Sequence, residues 1–214
     1  MNIPDIPIPD DMLPKSLSAP QTGYTVLKPF LQQQGREPDR VLGDGNCLFR
    51  ALSRALTGVE DHHIDLRRTI VEFEASNTAI FEAAHNAINS TKTRPAIPFA
   101  DYIRNMKKVG VWGTNLEIIA AAYLFQIEIY LATETYHIGD PQWLVYPPKP
   151  VSVLSSKNLQ EHLADKVTLT KHWIELVHIS NSHFDSIKSL LGKKLSPPKL
   201  SPPTDMLNDH VIIY

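Results

Sequence analysis

The chain has a single cysteine among its 214 residues. One thiol excludes an internal disulfide, and the sequence has neither CxxC pairs nor the cysteine and histidine spacings of structural zinc sites. Such sparse use of cysteine is typical of proteins in a reducing compartment. We therefore expect a cytoplasmic protein that needs no metal ion or other cofactor.

The chain also lacks an excess of basic charge and long apolar runs. Its 21 lysines and arginines stand against 23 acidic residues, a formal net charge of -2, so it has no electrostatic footprint for nucleic acid. No apolar run approaches the roughly 20 residues that span a bilayer, and the N-terminal residues do not resemble a signal peptide. We expect a soluble intracellular protein with no membrane span and no nucleic-acid partner, although delivery into a host cell as a secreted effector stays open.

Composition divides the chain into one domain between two tails. Residues 1–22 carry prolines at positions 4, 7, 9, 14 and 20, which indicates an extended or disordered lead. Residues 23–191 carry the patterns of one domain, and a hydrophobic content of 43% is enough for one core. In 192–214 the segment KLSPP occurs twice in succession, which predicts a polyproline-type linker with no core of its own, followed by an apolar end. We expect a monomer.

The predicted secondary structure is mixed. Apolar residues at helical spacing predict helices over 24–34, 48–57, 61–76, 78–88, 99–108, 116–125 and 157–165. Apolar and alternating segments predict strands over 126–132, 143–146, 167–169 and 172–179, and a further strand headed by His183. The first of these strands is predicted to have one buried face. Thr114 and Glu117 have the spacing of a capping box, which predicts where the helix over 116–125 begins.

The lone cysteine lies at the start of a well-signalled helix. Apolar residues follow it at helical spacing up to a stop at Gly58; they are Leu48, Ala51, Leu52, Ala55 and Leu56. Cys47 therefore falls in the first turn, where unpaired backbone N–H groups and the helix dipole favour a thiolate. The glycine-rich loop before it can turn N–H groups toward one point, as an oxyanion hole requires. The candidate residues of this oxyanion loop are Gly43, Gly45 and Asn46.

The segment DGNCLFRAL, from Asp44 to Leu52, resembles the nucleophile motif of the OTU (ovarian tumour) family of cysteine proteases, which are mostly deubiquitinases. Two further segments match the family pattern in the expected order: 102–117, which contains YIRNM and GVWG, and 174–187, which contains IEL and HFDSI. The motifs together cover roughly residues 41–189. The resemblance implies a papain-like α/β (α+β) domain with a central, mostly antiparallel sheet of about five strands flanked by helices.

The resemblance also implies a deubiquitinating thiol isopeptidase. Cys47 would attack the carbonyl of the ubiquitin C-terminal glycine, and His183 would protonate the departing lysine amine before water hydrolyses the thioester. Of the nine histidines, only His183 lies in the family's His-aromatic-Asp pattern. The alternatives are an OTU-fold peptidase that acts on another ubiquitin-like modifier or on a polyprotein, and an inactive ubiquitin-binding module.

The residue that orients the histidine has two candidates. A strand has a period of two residues, which puts His183 and Asp185 on the same face and lets their side chains touch. Asp44 belongs to the nucleophile motif and is often counted as an active-site residue in the family. We expect Asp185 to bond the histidine ring and Asp44 to shape the oxyanion loop.

Ubiquitin or polyubiquitin is the partner that the resemblance implies. The family pattern puts Trp112 and Gly113 near the active-site cleft, although a core position is an equal alternative for the tryptophan. Tyr136 and Trp143 are candidates for a surface that contacts the apolar patch of ubiquitin, with packing against the domain as the alternative for Trp143. Asn181, in the turn before the histidine, is a further substrate-binding candidate.

Overall fold

The computed structural model describes residues 21–89, 97–134, 141–149, 172–180 and 182–200. Within these ranges the chain forms six helices: α1 (Gln21–Gln32), α2 (Cys47–Thr57), α3 (His63–Ser76), α4 (Thr78–Asn89), α5 (Phe99–Met106) and α6 (Asn115–Phe125). It also forms five strands: β1 (Arg36–Asp39), β2 (Glu128–Glu134), β3 (Pro141–Tyr146), β4 (Trp173–Ile179) and β5 (His183–Ser189). None of the helices in these ranges is long and apolar enough to cross a membrane.

The five strands form one sheet in the order β1-β5-β4-β2-β3. Strands β2 and β4 pair in parallel, whereas the β1–β5, β4–β5 and β2–β3 pairs are antiparallel. The structure therefore confirms the predicted α/β fold with a mostly antiparallel, five-stranded sheet. In the β4–β5 pair, Val177 lies opposite Asp185 and Ile179 lies opposite His183, so these four side chains share one face of the sheet.

Helices cover both faces of the sheet. On one face the larger core packs α2, α3 and α6 against the strands. On the other face Leu27 of α1 lies in a second core cluster with Val177 and Ile179. Because Val177 and Ile179 share their face with His183 and Asp185, the histidine and the aspartate lie on the α1 face of the sheet.

The local signals that begin and end two helices act as predicted. Gly58 follows α2 with a left-handed φ of 85°, and its N–H bonds back to the last turn. At the start of α6 the capping box is complete: the Thr114 hydroxyl accepts from a first-turn N–H at 3.1 Å, and the Thr114 N–H donates to Glu117 Oε2 at 2.6 Å. The first cap fixes where α2 ends, and the second fixes where α6 begins.

Two features of the sheet differ from the sequence prediction. The sequence does not predict β1, because its residues are polar; it forms as an edge strand by pairing with β5. Strand β2 is buried on both faces, with Tyr130 only 8% exposed, because α1 covers the second face. The predicted helix over 157–165 and the predicted strand over 167–169 lie outside the described residues, as does the N-terminal lead up to residue 20.

The first KLSPP repeat, predicted as part of a linker with no core of its own, contacts the domain. The Ser196 carbonyl oxygen accepts from Arg36 Nη2 at 2.5 Å, and Pro198 is buried. Arg36 also forms a buried ion pair with Glu175, with Nη2 and Oε1 2.7 Å apart. The repeat is therefore attached to the domain beside β1.

Candidate active site

The sole cysteine and the predicted histidine meet where a helix and a strand begin. Cys47 is the first residue of α2, and His183 is the first residue of β5. Both residues are buried, and Cys47 lies close enough to the imidazole to raise its pKa. The fold thus brings a thiol from one motif to an imidazole from another.

Asp185 holds the imidazole from its other side. His183 Nε2 lies 2.9 Å from Asp185 Oδ1, which confirms that the two side chains share a strand face and touch. Because Nε2 donates to the carboxylate, Nδ1 is the ring nitrogen left to face Cys47. Burial lowers the pKa of His183, but the hydrogen bonds and negative charges of Asp185 and Cys47 outweigh it and raise the pKa to about 9. The ring is therefore an imidazolium at neutral pH, which favours a thiolate beside it.

Two further groups hold Asp185, and the sequence analysis identified neither. Val41 N donates to Asp185 Oδ1 at 2.9 Å, and the Tyr24 hydroxyl donates to Asp185 Oδ2. Val41 lies in the loop after β1, and Tyr24 lies on α1. They are 144 and 161 positions away from Asp185, so no local pattern could have marked them.

Asp44 makes contacts of a different kind. Its carboxylate accepts from the backbone N and the side-chain amide of Asn46, both at 3.0 Å, and from Arg50 Nη2 at 2.7 Å. Burial raises the pKa of Asp44, but the hydrogen bonds from Arg50 and Asn46 outweigh it and hold the pKa well below its usual range. The ionised carboxylate ties the loop before Cys47 to the helix after it, which agrees with the expected loop-shaping role.

Asn46 is not available as an oxyanion donor, which corrects part of the predicted oxyanion loop. Its N–H is taken by Asp44, and its side-chain Oδ1 accepts from Gly110 N at 2.9 Å. Asn46 therefore supports the loop from within. The donor that the helix geometry leaves for an oxyanion is the Cys47 N–H, because the first turn of a helix gives it no intrahelical acceptor.

The two loop glycines differ in what they require. Gly45 has a left-handed φ of 79°, and a Cβ at this position would lie 2.1 Å from the carbonyl oxygen of Gly110. Only glycine fits there without displacing the backbone. Gly43, at the start of the same loop, has no positive φ.

A buried arginine, also missed from the sequence, holds this loop. Arg67 on α3 is only 1% exposed, and its Nη2 donates to the carbonyl oxygen of Gly45 at 3.2 Å and to Asn46 Oδ1 at 3.0 Å. The same nitrogen donates to the carbonyl oxygen of Val111 at 2.6 Å. One guanidinium therefore joins the loop before Cys47 to the segment that precedes Trp112.

The substrate-binding candidates have different positions. Trp112 is 56% exposed, so its ring is available at the surface. Gly113 packs against the nucleophile helix, because a Cβ there would lie 2.5 Å from Leu48 Cδ2. Tyr136 and Asn181 lie outside the described residues.

Trp143 is buried, which corrects its prediction as a substrate-contact residue. It is 8% exposed, its Nε1 donates to Gln34 Oε1 at 3.1 Å, and its ring lies 5.8 Å from that of Phe30 between centroids. The ring fills the second core cluster beneath α1. Packing against the domain, the alternative given for this residue, is what the structure shows.

A second histidine lies near the site without adding charge to it. His178 on β4 stacks on Phe184, with ring centroids 4.2 Å apart and planes at 9°. Burial and the charge of His183 lower the pKa of His178 to about 4, so its ring is neutral at physiological pH.

A thiol at a helix N-terminus, an imidazole beside it and a buried carboxylate behind the imidazole form the arrangement that cysteine proteases use. The family model of OTU-like cysteine proteases matches residues 42–164, more than half of the chain. The chain therefore belongs to the OTU family of cysteine proteases. The matched region includes Cys47 but ends before His183 and Asp185, so the geometry of these two residues comes from the structure alone.

Curated relatives share part of the chain. OVARIAN TUMOR DOMAIN-containing deubiquitinating enzyme 9 of Arabidopsis thaliana is 34% identical over 105 residues, 48% of this chain and 27% of the plant protein. Enzyme 7 of the same series is 26% identical over 150 residues, 70% of this chain and 32% of that protein. The putative ubiquitin thioesterase 232R of Invertebrate iridescent virus 3 is 27% identical over 132 residues, which are 60% of this chain and 15% of the viral protein. The chain thus spans less than a third of these relatives' length.

Solved structures share the fold. The OTU domain of OTUD1 superposes with a TM-score of 0.58 at 18% identity, covering 78% of this chain and 98% of that domain. The viral OTU domain protease from Dera Ghazi Khan virus gives a TM-score of 0.52 at 20% identity, with 74% and 83% covered. An OTU deubiquitinase from Wolbachia pipientis wMel, solved bound to ubiquitin, gives 0.50 at 12% identity, with 73% and 98% covered. At such low sequence identity, the structural similarity establishes the fold alone.

Proposed function

We propose that this protein is a deubiquitinase, a thiol isopeptidase that hydrolyses the bond between the C-terminal glycine of ubiquitin and a lysine amine. The observation that carries the proposal is that Cys47, His183 and Asp185 come together in one buried site, where Asp185 bonds the imidazole and Cys47 lies close enough to raise its pKa. A domain that only binds ubiquitin would not need this arrangement of three residues. Ubiquitin as the substrate is supported by the relatives, which are named as deubiquitinating enzymes and as a putative ubiquitin thioesterase.

In the first step the Cys47 thiolate attacks the carbonyl carbon of the terminal glycine. The imidazolium of His183 stabilises the thiolate before attack, and it keeps its proton because its pKa is about 9. As the tetrahedral intermediate forms, the Cys47 N–H donates to the oxyanion at the positive end of the α2 dipole.

In the second step the intermediate collapses. His183 gives its proton to the lysine nitrogen, the C–N bond breaks, and the glycine carbonyl stays on the Cys47 sulfur as a thioester. The now neutral His183 then takes a proton from water, and the water oxygen attacks the thioester carbon. The C–S bond breaks, which releases ubiquitin with a free carboxylate and restores the Cys47 thiolate beside the His183 imidazolium. Throughout, Asp185 keeps the ring in the orientation in which Nδ1 faces the sulfur.

On the substrate side, we propose that Trp112 contacts ubiquitin beside the scissile bond. Its ring is exposed, and the segment before it is tied to the nucleophile loop through Arg67. Gly113 brings the same segment against the nucleophile helix. Exposed aromatic rings beside a reactive centre are typical contact residues for a protein substrate.

We further propose that the protein acts as a monomer in a reducing cytoplasm, its own or, as a secreted effector, that of a host cell. An active thiol without a disulfide partner supports the compartment. Light scattering on a sizing column should give the chain mass of 24.1 kDa. A dimer mass, or localisation of the tagged protein to an oxidising compartment, would contradict these two assignments.

Cleavage of isopeptide-linked diubiquitin tests the activity. We expect the whole chain to release monoubiquitin from at least one linkage type, and Cys47→Ser to release none, because a hydroxyl is a weaker nucleophile than a thiolate. Reporters of ubiquitin and of ubiquitin-like modifiers with a C-terminal fluorophore, assayed side by side, identify the modifier. Failure of the folded chain to cleave any diubiquitin linkage or the ubiquitin reporter contradicts the proposal. Faster cleavage of another modifier's reporter would identify that modifier, and not ubiquitin, as the substrate.

A further inference from the structure

Tyr24 contacts the candidate site from a helix that carries none of the motifs. It lies on α1, before the region that the family model matches. Its hydroxyl donates to Asp185 Oδ2, the carboxylate oxygen that His183 does not use. Tyr24 is 8% exposed and Asp185 is fully buried, so water does not compete for this hydrogen bond.

The packing of α1 explains how the phenol reaches the carboxylate. Tyr24, Leu27 and Leu31 are spaced three and seven residues apart, so they lie on one face of the helix, and all three belong to the second core cluster. That cluster covers the face of the sheet on which Asp185 lies. Two fully buried leucines therefore hold the helix down, and Tyr24 extends from the same face to the carboxylate.

The phenol is the donor in this contact. Burial raises the pKa of Tyr24, and the hydrogen bond to Asp185 raises it further, so the hydroxyl keeps its proton at neutral pH. The Arg40 guanidinium lies over the ring at 4.5 Å from its centroid. Asp185 thus accepts from three groups on three different segments: Tyr24 on α1, Val41 in the loop, and His183 on its own strand.

We propose that Tyr24 is a positioning residue, which holds the Asp185 carboxylate in the orientation that bonds His183. The proposal rests on the role assigned to Asp185 under the proposed function. Without the hydroxyl, Oδ2 becomes a buried acceptor with no phenol donor, and the carboxylate gains by turning away or by taking up a proton. Either change weakens its hold on the imidazolium, so His183 loses its proton at lower pH and Cys47 reacts less readily near neutral pH.

Among the described residues, the ionisable groups beside the contact between Tyr24 and Asp185 are His183 and Arg40. Asp185 faces Tyr24 and His183, and Tyr24 faces Arg40. His183 also faces Cys47 from α2 and is near His178 on β4, whose ring is neutral. A change in the pH dependence of Cys47 reactivity on loss of the phenol would therefore arise in the Asp185–His183 pair.

The experiment uses the single cysteine of the chain. We compare wild type, Tyr24→Phe and the control Tyr130→Phe, in which an equally buried phenol loses its 2.8 Å hydrogen bond to the Glu128 carboxylate away from the site. The rate of iodoacetamide alkylation, which here reports Cys47 alone, is measured from about pH 5 to 10, where thiolate formation sets the rate. For each protein the alkylation rate near pH 6.5 is divided by its own rate near pH 10. We expect this ratio to be about three- to tenfold lower in Tyr24→Phe than in wild type. Tyr130→Phe should keep the wild-type profile.

A double-mutant cycle shows whether the effect passes through the carboxylate. Adding Tyr24→Phe to Asp185→Ala should leave the alkylation profile of Asp185→Ala unchanged, because the acceptor is already gone. A folded Tyr24→Phe with the wild-type profile, an equal change in Tyr130→Phe, or a Tyr24→Phe chain that fails to fold overturns the proposal. Alkylation needs no ubiquitin, so the result stands even if the chain cleaves no ubiquitin substrate.

Discussion

Removal of the charge on Asp185 should move the alkaline limit of activity to lower pH. In Asp185→Asn the amide oxygen can still accept from His183 Nε2 and from Val41 N, so the ring keeps an acceptor behind it. The negative charge, which together with the hydrogen bonds raises the pKa of His183 from 6.5 to about 9, is lost, and an amide NH2 replaces Oδ2, the acceptor of the Tyr24 hydroxyl.

The size of the effect follows from the two protonation states. A base with a pKa of about 9 is roughly 90% protonated near pH 8, whereas a base with a pKa of about 6.5 is roughly 3% protonated there. The imidazolium that stabilises the Cys47 thiolate therefore falls by up to about 30-fold at this pH. Near pH 6 the loss is much smaller, because both proteins are then largely protonated.

The assay is kcat/KM on a ubiquitin reporter across this pH range, with Asp44→Asn as the control. Asp44 bonds Asn46 and Arg50, so its charge loss should lower activity without moving the alkaline limb. An alkaline limb that stays near the wild-type position in Asp185→Asn but moves in Asp44→Asn would refute the assignment and exchange the two roles.

Three further variants test the support around the site. Arg67→Lys should lower kcat about tenfold and lower the free energy of unfolding in urea by roughly 1–3 kcal/mol, because an ammonium cannot reach all of the guanidinium's oxygen acceptors. An unchanged kcat would show that the loop before Cys47 does not need the hydrogen bonds of Arg67. Gly45→Ala should abolish most activity, since the new Cβ would lie 2.1 Å from a carbonyl oxygen. The control Gly35→Ala, with φ of 72° and nothing within 4 Å of the new Cβ, should lower the free energy of unfolding by only about 1 kcal/mol. Equal losses of stability in urea and of activity in the two variants would contradict this prediction. Both carboxylate oxygens of Glu74 lack a hydrogen-bond partner among the described residues. Burial together with a neighbouring carboxylate raises the pKa of Glu74. The native state therefore holds a proton that the unfolded chain releases above about pH 4.5. Stability should therefore fall as pH rises above that value, and Glu74→Gln should flatten the dependence of the urea midpoint on pH; parallel slopes in the two proteins would be the contrary result.

The parts of the site that lie in short motifs could be predicted from the sequence. The apolar stripe ending at Gly58 predicted the helix that begins with the nucleophile, because helix periodicity and a glycine stop are local properties. The two-residue period of a strand predicted the contact between His183 and Asp185. The family motifs then selected this histidine among nine.

The supporting contacts could not be predicted, because each joins segments far apart in the chain. Tyr24 reads as one more apolar residue of α1, and Arg67 as one more polar residue of α3, until the fold supplies their acceptors. The polar strand β1 forms only because β5 pairs with it. The sequence leaves open whether Trp143 contacts ubiquitin or packs against the domain, because nothing in its own segment shows that α1 covers it.

Reaction of the whole chain with ubiquitin that carries a C-terminal electrophile tests the central claim most directly. The account predicts one adduct per chain at neutral pH, which peptide mapping assigns to Cys47, and a strong loss of adduct in His183→Gln. A folded wild-type chain that forms no adduct, or adduct formation at the same rate without the imidazole, would contradict the proposed activation of Cys47 by His183.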